Sequence, residues 1–178
     1  MLDYSTTMLS FVKKRFAYHL GNLVYGANDG IITTFAVIAG ASGAGFSSTI
    51  IIVLGIANLI ADGFSMAASK YLSVKSEQSV DQAGSKRRSA VQDGAATFIA
   101  FVLAGALPLL PFLIPGASEH AFIISAITGG IAFFLVGAAR SLVITKNLFV
   151  AGLEILIVGG AAAVIAYGLG SWVETLIQ

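Results

Sequence analysis

Two aspartates, Asp29 and Asp62, lie deep inside long apolar segments and are the side chains of this sequence best suited to chemistry. An ionisable group at membrane depth costs at least about 2.5–3.5 kcal/mol on insertion scales, so it needs a specific role. Neither segment carries a lysine or arginine at comparable depth, so both carboxylates need hydrogen bonds, protons, water or a bound cation. The pattern indicates a cation site. The alternative for each aspartate is a hydrogen bond between helices or to the backbone.

The second of these segments carries its polar residues at a regular spacing. The residues that recur every four positions are Asn58, Asp62, Met66 and Lys70. They share one slowly drifting face of a helix, which could line a path from one membrane surface. By spacing alone, Met66 is better explained as packing. Asn58 and Thr33 are candidates for supporting groups that complete a hydrated shell or hold the helices together.

Other acidic residues have simpler explanations. Glu77 and Asp81 lie one helical turn apart and could capture cations weakly, although a solvated charged face explains them better. Glu154 lies near the amino end of the last apolar segment, where a helix dipole favours negative charge. Because Arg140 and Lys146 lie nearby in the sequence, we predict an ion pair at the membrane surface.

The composition places these residues in an all-α membrane protein. Of 178 residues, 57% are hydrophobic and 11% are charged, whereas a soluble domain carries about 25% charge. The lack of cysteine excludes a disulfide scaffold and a zinc–thiolate site, and a net charge of +1 offers no surface for nucleic acid. Five segments provide the roughly 20 apolar residues that a spanning helix needs. They cover about residues 21–45, 49–68, 95–114, 121–139 and 148–169.

The basic residues predict the orientation of these helices. All ten lysines and arginines fall before the first span or in alternate connections, so one face of the membrane holds them all. By the positive-inside rule, the amino terminus is cytoplasmic and the carboxyl terminus is outside. We predict an amphipathic interfacial helix over residues 1–20, a single membrane domain over residues 21–178, and a short cytoplasmic linker over residues 70–93.

Small residues and prolines predict how the spans pack. Many of the 20 glycines lie within spans, where they let helices approach closely, because lipid supplies no hydrophobic drive for helix association. Pro108 and Pro111 predict a kink in the third span.

Three segments around the candidate residues carry a family resemblance. They are residues 29–37 (DGIITTFAV), 57–67 (ANLIADGFSMA) and 71–77 (YLSVKSE). Together they resemble the signature of the vacuolar iron transporter family, and residues 137–140 and 151–160 are similar to that family's fourth and fifth spans. The resemblance covers most of the chain from residue 21 onward.

The resemblance implies a five-helix protomer that forms a homodimer, with an ion path at the interface lined by the first two helices of each subunit. It implies export of ferrous iron, often with manganese or related metals, from the cytoplasm in exchange for protons. The family's membrane aspartate falls on Asp29 and its pathway methionine on Met66, which makes Met66 a predicted metal ligand. The metal is the transported substrate, and we expect no bound cofactor.

One departure from the family pattern concerns the cytoplasmic linker. Many members carry a long helical domain rich in glutamate between the second and third spans. Here residues 70–93 replace that domain, and Glu77 and Asp81 are the only acids of the linker before Asp93. These two residues are therefore the remaining candidates for metal capture in the cytoplasm.

Two other classes of function stay open. The chain could be a non-transporting scaffold or accessory subunit in which Asp29 and Asp62 hold helices together, or it could transport a different cation. An enzyme is not expected, because no nucleophile–base pair can be assembled within the spans. We predict a multi-pass location in a prokaryotic inner membrane, or otherwise in a vacuole-type membrane.

Overall fold

Five helical spans make up the protein in the computed structural model. The structure describes residues 4–80, 89–114, 120–142 and 146–177, with side chains from residue 20 onward. The prediction of five membrane spans is confirmed, because five helices are long and apolar enough to cross a membrane, and these residues include no strand. The helices are α1 (Tyr4–Gly43), α2 (Ser48–Val80), α3 (Ala90–Ala106), α4 (Ala121–Arg140) and α5 (Leu148–Ile177), and a 3₁₀ segment at Leu107–Leu113 extends α3.

The first helix is much longer than a membrane span. α1 has 40 residues, which corresponds to about 60 Å at a rise of about 1.5 Å per residue. Its backbone runs without interruption from residue 4 into the first span, so the predicted interfacial helix is continuous with that span over its described part. Since the hydrocarbon core is about 30 Å thick, α1 extends well beyond it. An orientation of this extension along the membrane surface stays a prediction.

A short turn joins α1 to α2 and makes them antiparallel neighbours. The last turn of α1 closes with hydrogen bonds from the Ala44 amide to the Gly40 carbonyl and from the Phe46 amide to the Ala41 carbonyl, each 3.0 Å long. Gly45 between them has a φ of 67°, a left-handed conformation that a side chain would strain. The chain then enters α2 at Ser48.

Close contacts at glycines show the direction of the other helices. A Cβ on Gly26 would meet the backbone of Thr97, and a Cβ on Gly30 would meet that of Phe101, so α3 runs parallel to α1. Equivalent contacts place α5 parallel to α1, and α2 and α4 antiparallel to it. The described lysines and arginines therefore all lie at one end of the bundle, which we call the basic end.

α1 is the central helix and packs against all four others. Its residues Ile31 and Ile38 have no exposed surface, and Phe35 contacts the ring of Phe133 edge-on at a centroid distance of 5.9 Å. A helix buried on several sides cannot show a single apolar stripe, which explains why its polar residues are distributed over several faces.

The outer surface is strongly apolar. Val53, Phe64, Leu103 and Val164 are each 60–73% exposed, and further large apolar side chains surround them on α2, α3 and α5. Water-facing surfaces rarely leave such large contiguous apolar areas uncovered, so this surface is suited to lipid or to another protein chain. The protein is therefore a multi-pass membrane protein.

The two prolines of the third span change its helix type. The α-helix ends at Ala106, and the chain continues as a 3₁₀ helix that contains Pro108 and Pro111. Proline lacks the amide hydrogen that an α-helical turn would use, so the hydrogen-bond ladder cannot continue unchanged. The carbonyl of Pro108 instead accepts a hydrogen bond from the fully buried hydroxyl of Ser125 on α4. This contact ties the 3₁₀ segment to the fourth span.

Candidate metal site

The α1–α2 hairpin brings the two candidate aspartates to the same level of the bundle. Asn58 on α2 donates a hydrogen bond to Thr34 on α1. Because the helices are antiparallel, one turn from this contact toward the basic end leads to Asp62 on α2 and to Gly30, beside Asp29, on α1. Asp29 and Asp62 lie close enough for their charges to interact, and both are partly buried.

No cation neutralises this pair within the described side chains. The salt bridges found there join Arg140 and Lys146 to Glu154, and neither of the two aspartates takes part. Two carboxylates in a partly buried apolar setting without a basic partner need protons, water or a metal ion. The sequence indicates a cation site, and the geometry is consistent with that interpretation of the pair.

The hydroxyl of Thr33 serves the backbone. Its Oγ1 donates to the carbonyl oxygen of Asp29, one turn earlier in α1, at 2.8 Å. Bonds of this kind slightly bend a helix and occupy the hydroxyl hydrogen. The lone pairs of the oxygen stay available, so Thr33 could offer only its oxygen to a cation, and its supporting role stays a prediction.

Asn58 joins the helices that carry the aspartates. Its Nδ2 donates to Oγ1 of Thr34 at 3.4 Å, a long bond, and Thr34 has no exposed surface. Sequence reasoning missed Thr34. The available signal was its position in the hairpin, where an antiparallel pairing of α1 with α2 brings it opposite Asn58.

Met66 lies one turn beyond Asp62 on α2 and is partly buried against the apolar core. A purely structural role of Met66 in packing would give the same placement. A methionine side chain has three rotatable bonds and adapts to irregular spaces, so the thioether can change partners without a change in the backbone.

The two predicted capture residues lie far from this site or outside the described chain. Glu77 is exposed on the last turns of α2, and its carboxylate accepts a hydrogen bond from Ser73 at 3.4 Å. Asp81 lies outside the described residues. The described chain contains no group of three or more histidine, cysteine, aspartate or glutamate side chains placed to hold a metal. Within the described side chains, this site therefore offers two carboxylates and few further ligands.

Glu154 forms the ion pair that the sequence predicts. Its carboxylate lies 2.6 Å from Nζ of Lys146 and 3.3 Å from a guanidinium nitrogen of Arg140. All three side chains are 38–48% exposed at the basic end. Glu154 is thus engaged at the surface of the bundle and is not part of the acidic pair.

The fold and this pair define a five-span helical membrane protein with an acidic site between its first two spans. The chain belongs to the VIT family, whose family model matches residues 20–90 and 79–171. The two matched segments overlap at residues 79–90, in the connection between α2 and α3. One matched segment therefore ends, and the other begins, in the region of the short linker.

Curated relatives agree with this family assignment. The vacuolar iron transporter of Toxoplasma gondii is 21% identical over 224 aligned positions, covering 87% of this chain and 74% of the relative. Vacuolar iron transporter 1 of Eucalyptus grandis is 23% identical, and the alignment covers 86% of this chain and 86% of the relative. Vacuolar iron transporter homolog 3 of Arabidopsis thaliana is 30% identical over 82% of this chain and 78% of its own length. The 224 positions exceed the 178 residues of this chain, so the Toxoplasma protein has residues without a counterpart here.

Proposed function

We propose that this chain exports divalent transition-metal ions, ferrous iron foremost and manganese also, from the cytoplasm in exchange for protons. The observation that carries this proposal is the pair Asp29 and Asp62, partly buried in an apolar hairpin without a salt bridge among the described side chains. A divalent cation and protons compete for the same carboxylate oxygens, so binding one releases the other. The names of the relatives, vacuolar iron transporters, support iron as the cargo.

The proposed path lies at the interface of a homodimer. Val53, Ile60 and Phe64 leave α2 with an exposed apolar face, 54–68% accessible, that a second copy could cover. A second protomer against this hairpin would bring two further carboxylates beside the first pair. That arrangement would supply ligands beyond those that the described side chains of one chain offer, because divalent transition metals take about four to six ligands.

The proposed exchange is balanced in charge. If two copies of Asp29 face each other, they bind either two protons or one divalent ion, so one cycle moves no net charge. The sulfur of Met66 would favour transition metals over magnesium and calcium. Asp62, Asn58 and Thr33 would complete a hydrated shell or hold the helices at the right separation.

The direction of transport follows from the proposed orientation. With the basic end in the cytoplasm, metal enters from that side and leaves at the opposite face. We propose a prokaryotic inner membrane because the chain is compact. The names of the relatives point to the alternative, a vacuole-type membrane.

Metal flux into proteoliposomes with an imposed pH gradient tests this function. Asp29→Asn keeps the side-chain size but removes the charge, and we expect the initial rate of ferrous iron uptake to fall by about tenfold or more. Glu154→Gln is the matched control, because it neutralises an acid of a span that is already paired with lysine and arginine. We expect Met66→Leu to lower the preference for iron over magnesium. Unchanged flux in Asp29→Asn would overturn the proposed site.

The opposing candidate is a membrane scaffold without transport. The packing of Met66 against the core favours it, as does the incomplete ligand set of one protomer. It predicts no flux for the wild-type chain, and a loss of dimer, measured by light scattering in detergent, for Asp29→Asn.

A further inference from the structure

A cavity of about 420 Å³ opens between α1, α4 and α5 near the basic end. Its size falls in the range of small-ligand sites, about 300–1,000 Å³. Tyr25 and Asn28 of α1 and Arg140 of α4 give it polar groups, whereas Val24 and Val136 give it apolar walls. No residue of α2 lines it, so the cavity lies apart from the face that the proposed dimer would cover.

The charge around this cavity favours an anion. Arg140 and Lys146 share a single carboxylate, that of Glu154, and the contact with Lys146 is the shorter one, at 2.6 Å against 3.3 Å. Counted over the described side chains, the cluster therefore carries one unbalanced positive charge. Of the five N–H donors of a guanidinium, Arg140 uses one on an acceptor in the described chain, and its side chain is 40% exposed.

Asn28 adds unused hydrogen-bonding capacity to the cavity wall. Its Oδ1 is buried and has no hydrogen-bond partner among the described residues. The terminal amide of asparagine rotates over a broad range, so either end of it can turn toward a group in the cavity. The next residue, Asp29, points about 100° further around α1 and does not line the cavity.

These features disfavour the cavity as a route for metal ions, because the positive charge of Arg140 repels a divalent cation. They suit a ligand with an anionic group for Arg140, hydroxyls for Asn28 and Tyr25, and an apolar part for the valine walls. A phosphate carries the charge and geometry that a guanidinium recognises best. Basic pockets between membrane helices at the cytoplasmic side are typical sites for lipid phosphates.

We propose that this cavity binds the headgroup of an anionic glycerophospholipid from the leaflet at the basic end. The phosphate lies against Arg140, the headgroup hydroxyls reach Asn28 and Tyr25, and the glycerol backbone contacts Val24 and Val136. The lipid acts as a wedge between α1 and the α4–α5 pair. A free phosphate shares the anionic group but would leave the apolar walls uncovered, so the lipid is the better occupant.

Native mass spectrometry of the full chain tests this site. The protein is reconstituted in discs of equal parts dioleoylphosphatidylglycerol and dioleoylphosphatidylcholine, then released in detergent. We expect one phosphatidylglycerol per chain, retained about tenfold over phosphatidylcholine, because Arg140 repels the choline ammonium that offsets the phosphate of phosphatidylcholine, whereas the charge-assisted hydrogen bonds of phosphatidylglycerol are not offset. Equal retention of the two lipids by the wild-type chain would overturn the proposal without any variant.

Variants locate the bound lipid within the bundle. Arg140→Gln should reduce the tenfold preference to none, and Val136→Phe should do the same by filling the cavity while keeping every charge. Lys75→Gln is the matched control, because it removes an equal charge at the same end from an exposed side chain of α2 that neither lines the cavity nor belongs to the Glu154 cluster. If it abolishes the preference as fully as Arg140→Gln, general surface attraction is the cause and the proposed cavity is wrong. If inorganic phosphate at millimolar concentration displaces the lipid from the wild-type chain, the site belongs to a soluble anion.

Discussion

Replacing Gly30 by alanine should loosen the contact between α1 and α3 beside the acidic pair. The Cα and the carbonyl carbon of Phe101 lie 2.9 Å from the position that a Cβ on Gly30 would occupy, and the carbonyl oxygen is closer still. Ordinary contact at a Cβ begins at 3.4 Å. The obstacle is backbone, which cannot rotate away, so the helices must separate by at least 0.5 Å.

The expected magnitude is a balance of two effects. Overpacking a well-filled interior costs about 1–3 kcal/mol, while alanine stabilises a helix over glycine by about 0.5–1 kcal/mol. Gly30→Ala should therefore lower the free energy of unfolding by up to about 2.5 kcal/mol. Gly160→Ala is the matched control, because a Cβ at Gly160 meets nothing within 4 Å. It should be neutral or slightly stabilising.

Unfolding in mixed micelles with increasing dodecyl sulfate measures both variants against the wild-type chain. The difference between the two alanine variants reports the α1–α3 contact itself, because the change in side chain is the same. Equal stability of the two variants, within about 0.5 kcal/mol, would refute the close packing of α1 against α3. Iron flux in Gly30→Ala should also fall, since the displacement starts one residue from Asp29.

Two further predictions concern polar contacts. Ser125→Ala should lower the free energy of unfolding by about 1–3 kcal/mol, because the buried carbonyl of Pro108 loses its hydrogen bond. The same micelle titration measures this change, with Thr128→Ala as the control. A loss in Ser125→Ala no larger than that in Thr128→Ala would contradict the role of Ser125. Glu154→Gln should cause a small loss of thermal stability at low salt that vanishes near 1 M salt, where the Debye length is about 3 Å. A loss that persists at high salt would show that Glu154 contributes through packing.

Much of the architecture could be predicted from single helices. The number of spans follows from the length of each apolar segment, because the cost of placing residues in lipid adds along one helix. The gathering of basic residues at one end follows from the same counting. The depth of Asp29 and Asp62 is likewise a property of the segments that contain them, and the motifs around them were sufficient to indicate the VIT family.

Other features depended on how the helices rotate and pack against each other. The partner of Asn58 is Thr34, and the hydroxyl of Thr33 turns to the backbone, but a sequence does not show which face of one helix meets which face of another. Met66 lies against the core although its spacing also matches a polar stripe. The position of Asp81 stays a prediction.

The sequence by itself determined an all-helical membrane protein, its five spans and the two acidic residues within them. Those properties depend on transfer energies that each residue contributes independently. Only the tertiary structure decided that Gly30 presses on Phe101, that Asn58 pairs with Thr34, and that a cavity remains beside Asn28. These features arise because close packing couples the volumes of many side chains at once, which no single segment specifies.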